Sequence, residues 1–150
     1  MVKKWLLSLL TVFTLVVTGG CSLTGEVSVS VEYVSKTADY IKKVQDFYNE
    51  VPGMVEKAVT DSKVRKDLET KLNDLKTEIQ NFEKLTPPDF AKDIHQTIQD
   101  HNQKLQTAID GYLGLVKDGK LDPQEFKNSE LYQTMNSIIN LLDQVQNLGK

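Results

Sequence analysis

Residues 64–82 read Val64-Arg65-Lys66-Asp67-Leu68-Glu69-Thr70-Lys71-Leu72-Asn73-Asp74-Leu75-Lys76-Thr77-Glu78-Ile79-Gln80-Asn81-Phe82, and this stretch decides the fold class. Val64, Leu68, Leu72, Leu75, Ile79 and Phe82 recur at intervals of three and four with charged or polar residues between them. That spacing lays an apolar stripe along one side of an α-helix. Thr60-Asp61-Ser62 offers a cap just before it, so a helix is expected over about 62–85.

Moving toward the C-terminus, Leu85-Thr86-Pro87-Pro88-Asp89-Phe90 reads as a helix start. Thr86 can cap, Pro87 suits the first helical position, Asp89 can act as the acid of a capping box, and Leu85 can staple onto Phe90. The helix expected over 87–117 carries Ile94, Ile98, Leu105, Ala108, Tyr112, Leu115 and Val116 on one stripe, with His101 among them. Gly111 and Gly114 interrupt it and read as a bend or a close helix contact. Asp118-Gly119-Lys120 ends it, and Leu121-Asp122-Pro123-Gln124-Glu125-Phe126 starts a last helix with the same chemistry. That helix is expected over 123–148 through Leu131, Met135, Ile138, Leu142, Val145 and Leu148, with Gly149 as its stop.

Toward the N-terminus, Val27, Val29, Val31 and Tyr33 alternate like a strand, but no second alternating run exists to pair with them. Helical spacing from Val27 through Val31, Val34, Ala38, Ile41, Val44 and Tyr48 places a helix over about 27–50, its first turn either helical or extended. Pro52-Gly53 is expected to break or kink it, leaving 53–59 as either a short separate helix or a bent continuation. Four amphipathic segments with short connections and no strands give an all-α fold, an up-down-up-down bundle spanning 27–150.

Ahead of the bundle, Lys3 and Lys4 precede an uncharged run from Trp5 to Val17 and then Thr18-Gly19-Gly20-Cys21. A cationic start, a short apolar middle and small residues before a cut are the layout of a secretory signal. The apolar run falls short of the roughly 18 residues that a membrane-spanning helix needs. Small residues directly before a cysteine resemble the lipobox of bacterial lipoproteins, in which the thiol is acylated and cleavage makes it the first residue. The position three before the cysteine, usually a branched apolar residue, holds Thr18. A secreted chain with a free thiol and an uncleaved signal anchor are the alternatives. Charge, length and small residues favour residues 1–20 as a signal cleaved between Gly20 and Cys21, with Cys21 lipidated and 21–26 as a tether. Cys21 is the only cysteine, so no intramolecular disulfide competes for it.

Without the leader and its two lysines, sixteen basic residues face twenty-one acidic ones. That balance disfavours nucleic acid and anionic surfaces as partners. Arg65 is the only arginine and Trp5 the only tryptophan.

No catalytic constellation stands out, and no enzymatic activity or cofactor is expected. Asp118, Gly119, Asp122 and Glu125 match the second half of a calcium-binding loop, but its first and third positions fall on Gly114 and Val116, which have no side-chain oxygen. His95 and His101 are six apart, on different helix faces, so no metal pair forms. His101, on the apolar stripe, reads as a core or boundary residue, and His95, near Asp93, as solvated. Tyr33, Tyr40 and Phe47, seven apart, form a second stripe on the first helix. It is a partner-binding candidate if exposed and part of a broad core face if not.

Leu85-Thr86-Pro87-Pro88-Asp89 with Asp93-Ile94-His95, Gly119-Lys120 with Asp122-Pro123, and Ser129-Glu130-Leu131 running to Leu141-Leu142-Asp143-Gln144 and Leu148-Gly149, together with the leader, resemble a family of small uncharacterised lipoproteins of Bacillus-type, Gram-positive bacteria. The resemblance implies a lipid-anchored helical domain on the outer face of the cell membrane and carries no activity or site residues with it. The function expected is a membrane-tethered helical interaction module that binds a protein or peptide partner in the envelope. The alternative is a small-ligand or ion carrier with a cavity between the helices, in which His101 is a polar group.

Overall fold

The computed structural model describes residues 23–148, with side chains from residue 30 onward. Its elements are α1 (Leu23–Ala58), α2 (Ser62–Phe82), a single 3-10 turn (Asp89–Ala91), α3 (Lys92–Asp118), α4 (Pro123–Asn128), α5 (Glu130–Ile139) and α6 (Leu142–Asn147). The all-α class expected from the stripes is the class observed.

α1 is longer than its stripe suggests at both ends. It begins at Leu23, inside the stretch read as a tether, so the strand-like alternation from Val27 to Tyr33 lies on a helix. It also runs straight through Pro52 to Ala58. Pro52 has no amide hydrogen, so the carbonyl of Tyr48 loses its helical partner, at a cost of about 3 kcal/mol in a helix interior. Val51, Val55 and Ala58 are completely buried around it. Burial of a valine side chain is worth about 1.5–3 kcal/mol, so tertiary packing outweighs the missing bond.

α2 starts where the cap predicts: Asp61 Oδ1 accepts from the amides of Lys63 (2.8 Å) and Val64 (3.2 Å). It ends at Phe82, three residues early. The start of α3 is the clearest departure, because residues 85–88 form no regular structure and regular helix begins only at Lys92. Pro88 is the reason. Its ring disfavours helical geometry at Pro87, and Pro88 itself is extended, with φ −66° and ψ 161°. Asp89 therefore pairs with Lys92 (2.6 Å) instead of closing a capping box, and Phe90 is exposed rather than stapled.

The end of α3 follows its sequence. Gly119 adopts φ 67°, its amide reaches the carbonyl of Val116, and the Lys120 amide reaches that of Leu115, a glycine-closed helix end. The last expected helix, 123–148, is three helices. Asp122 caps α4. Ser129 is extended, donates its hydroxyl to the Phe126 carbonyl (2.6 Å) and accepts from the Tyr132 amide (3.2 Å), so this serine closes one helix and opens the next. A second interruption at Asn140–Leu141 tightens the chain, with the Leu141 amide bonded to the Ile138 carbonyl.

α1 packs on α2, α2 on α3, α3 on α5, and α4–α6 return onto α1. Lys43–Glu78 (2.8 Å) and Lys71–Glu50 (2.6 Å) climb α1 as they descend α2, so these helices are antiparallel. Lys76–Asp110 and Lys117–Glu69 show the same for α2 and α3. These exposed pairs mark register and contribute at most about 1 kcal/mol each. The stabilising mass is the interior, where Ile41, Leu68, Leu72, Leu105, Ile109 and Ile138 are fully buried.

Candidate functional site

Gly20 and Cys21, the expected cleavage and lipidation positions, lie outside the described residues, as does Gly149. The stripe Tyr33, Tyr40 and Phe47 lies inside the bundle, with exposures of 4%, 5% and 7%. This corrects its reading as an outward contact surface. α1 has neighbours on two sides, α2 and α4–α6, so its buried face is wide enough to take both the Ile41–Val44 seam and the aromatic row beside it.

Two of these aromatics reach diagonally across the bundle to α3. The Tyr33 hydroxyl and His95 Nδ1 are hydrogen-bonded at 3.0 Å, and the Tyr40 hydroxyl donates to Asn102 Oδ1. Both rungs join residues sixty-two apart in sequence, so α1 and α3 run parallel and in register. Phe82 lies between the rungs, stacked on Tyr40 (centroids 4.8 Å) and on His95 (4.9 Å). Asn102 Nδ2 in turn donates to Glu83 Oε1 (3.1 Å), and Gln99 Nε2 donates to Glu83 Oε2 (2.8 Å). A polar chain thus runs from the buried Tyr40 hydroxyl to a carboxylate at the surface.

Electrostatics follow burial. Desolvation holds the His95 imidazole below its ordinary value, partly opposed by the charge of Glu83. Burial pushes the Tyr40 phenol well above its ordinary range, and Glu83 acts in the same direction. Both side chains are therefore neutral at physiological pH and act as hydrogen-bonding groups.

The expectation for His95 is reversed by this geometry, while His101 takes the boundary position expected of it. His95, expected in solvent, is 6% exposed, whereas His101 is half-buried at the edge. The buried row of α3 is His95, Ile98, Asn102, Leu105, Ile109, Tyr112 and Val116. Hydrophobicity alone favours Ile94, Ala108 and Leu115 over their polar neighbours. The structure favours the polar residues because tyrosines across the core satisfy them. Asn102 and Glu83 escaped the sequence reading. The signal for Asn102 is a seven-residue row, 95, 102, 109 and 116, that matches the row 33, 40, 47 and 54 of α1.

On the outside, α1 and α2 leave two shallow recesses that meet at Lys43 and Glu78. One, of about 350 Å³, has Tyr40, Phe82 and Leu85 in its lining, with Lys36, Asp39 and Asn81 around them. The other, of about 200 Å³, has Phe47 and Leu75, with Asp46, Glu50, Lys71 and Asp74. Both are open surface grooves, and His101 lines neither. Asp122 spends its carboxylate on the amides of Gln124 (2.7 Å) and Glu125 (3.2 Å), the capping role that competes with calcium. Among the described residues no group of three or more His, Cys, Asp or Glu side chains is placed to hold a metal ion.

Residues 33–148 match the model of DUF6376, a family of unknown function. Over 147 residues the chain is 35% identical to the uncharacterized lipoprotein YybP of Bacillus subtilis strain 168, an alignment covering 98% of this chain and 99% of that protein. No solved structure matches the chain. The matched region begins at Tyr33, the first rung of the buried ladder, and takes in every helix that packs around it, so this protein belongs to the DUF6376 family.

Proposed function

We propose that the protein is a lipoprotein of the cell envelope, cleaved after Gly20 and lipidated on Cys21. In this reading its helical domain stands on the outer face of the membrane as a non-enzymatic interaction module for a protein or peptide partner. The likeness to a named lipoprotein over almost the whole length supports the anchor. Support for the interaction role comes from one observation, the pair of recesses along α1 and α2. Their apolar linings, Tyr40 and Phe82 in one and Phe47 and Leu75 in the other, lie end to end between fixed charges of both signs. Such a groove suits a peptide segment with apolar anchors and polar flanks.

Mass spectrometry of the mature amino terminus tests the anchor: a diacylglyceryl mass on Cys21 is expected, and an intact leader or a bare thiol refutes it. For the groove, a photo-crosslinking residue in place of Lys43 in living cells should give one reproducible adduct, absent when the crosslinker replaces the exposed Gln103 of α3. Equal labelling from both positions, or none, removes the interaction reading.

A further inference from the structure

We propose that the end of the bundle formed by residues 85–91 rests on the lipid bilayer that holds Cys21, with the Phe90 ring inserted among the headgroups. This inference rests on the lipidation proposed above. Phe90 is 46% exposed, and at the same end of the molecule Val31 is 65% exposed. The ring is held outward by its frame. Pro88 is extended before it, Ala91 beside it is fully buried, and the Ala91 amide bonds to the Pro88 carbonyl at 2.9 Å. With Ala91 fixed in the core, Phe90 cannot turn inward without displacing the start of α3.

The register of the two rungs measures how far this loop is from the anchor. Residue n of α1 faces residue n + 62 of α3, so Phe90 is level with about residue 28. α1 continues past that level to Leu23, a rise of about 8 Å at 1.5 Å per residue. One residue, Ser22, then separates Leu23 from Cys21, so the two are at most about 7 Å apart along the chain. The headgroup layer is itself about 5–8 Å deep. With neighbouring helices about 8–10 Å apart, the α1–α3 diagonal is about 12–14 Å. A bundle leaning by about 45° toward α3 therefore brings Phe90 to the lipid surface without stretching the tether.

A bilayer is the occupant that fits, since the anchor keeps it within reach at high effective concentration and one modest contact is enough. The charges in and beside the loop nearly cancel: two lysines, Lys84 and Lys92, against three acids, Glu83, Asp89 and Asp93, with Lys92 paired to Asp89. The contact is therefore apolar and needs no anionic lipid.

Because Trp5 leaves with the leader, Phe90→Trp places a single tryptophan in the mature chain. The full-length protein, lipidated in cells, is reconstituted into phosphatidylcholine vesicles with and without bromine on the upper acyl chain. Leu115→Trp, near the opposite end of α3, and Asp89→Trp, on the same loop as Phe90, are made in parallel. The expected result is a blue-shifted emission for Phe90→Trp and at least two-fold quenching by the bromolipid, with Leu115→Trp unquenched. Asp89→Trp, which keeps Phe90 and lies beside it on the exposed loop, reports the same contact should the Phe90 variant fail to fold. If the protein floats with the vesicles but the probes at 90 and 89 are quenched no more than the one at 115, this inference falls and the anchor stands. If the protein does not float, both fall.

Discussion

Removing the Tyr40 hydroxyl should be costly alone and nearly harmless in company. Tyr40→Phe leaves Asn102 Oδ1, on a side chain with no exposed surface, without its donor. A buried acceptor stripped of its partner costs about 1–3 kcal/mol. Asn102→Leu leaves the Tyr40 hydroxyl without an acceptor, at a similar cost, and also frees Glu83 Oε1, which is exposed and rehydrates. The double variant removes both polar groups and fills the site with hydrocarbon, so its stability should return to within about 1 kcal/mol of the parent. The coupling between the two positions, the sum of the single costs less that of the double variant, is therefore about 1–5 kcal/mol, far above the few tenths expected of independent sites. For a domain of this size about 1 kcal/mol corresponds to about 4 °C. Urea unfolding followed by circular dichroism measures it, with unchanged m-values confirming that the transition stays comparable. Additive single costs, or a coupling under about 0.5 kcal/mol, would show that the diagonal rung is not an energetic unit.

His95 supplies a pH dependence. Its folded-state value is below the ordinary 6.5, so the fold favours the neutral ring, and the stability it protects is complete above about pH 6.5 and declines as the pH falls toward the folded-state value. Thermal melts between pH 7.5 and 5.5 should show this decline, and His95→Gln should flatten it; parallel curves refute the assignment. Gly119→Ala should lower stability by about 1–2 kcal/mol, because φ 67° is unfavourable for any residue with a β-carbon, and here that atom would lie 3.3 Å from the Arg65 guanidinium; an unchanged melting temperature refutes it. Pro52→Ala should raise stability by about 2 kcal/mol, as about 3 kcal/mol of helix penalty is relieved and up to about 1 kcal/mol is lost to a freer unfolded chain. A lower melting temperature would mean that α1 depends on the proline for its path.

The long helices were legible wherever local and tertiary preferences agree. Leu68, Leu72, Leu75, Ile79 and Phe82 are buried as their spacing requires, and Asp61, Asp122 and Gly119 cap as their chemistry requires. Boundaries failed where two local signals collide. Pro87 alone reads as a first helical residue, but Pro88 forbids it that geometry. Pro52 alone reads as a break, but three buried neighbours carry the helix across it. Ser129 lies inside the stretch expected as one helix over 123–148, and only its bonds to Phe126 and Tyr132 make it a junction. The ladder was the least legible feature, because polarity is a poor guide to burial when the satisfying partner lies sixty-two residues away.

The ladder's polarity bears on why the helices align as they do. A seam of leucines and isoleucines on α1 and α3 would accept a slip of one heptad at little cost, since each row repeats every seven residues. With the native side chains, sliding α1 seven residues along α3 sets Tyr33 against Asn102 but Tyr40 against Ile109, so one hydroxyl loses its partner and His95 loses its tyrosine. A slip of three sets both tyrosines against Ile98 and Leu105 and leaves all four polar groups unpaired. Each misalignment thus carries a penalty of about 1–3 kcal/mol for every one of these four groups left unsatisfied, and only the native register pairs all four. Polar residues in a core are best attested in this role of fixing register. It follows that replacing one rung by hydrocarbon keeps the alignment, because the other still enforces it. Replacing both should give a protein as stable as the parent whose amide spectrum broadens, as α1 and α3 exchange between registers.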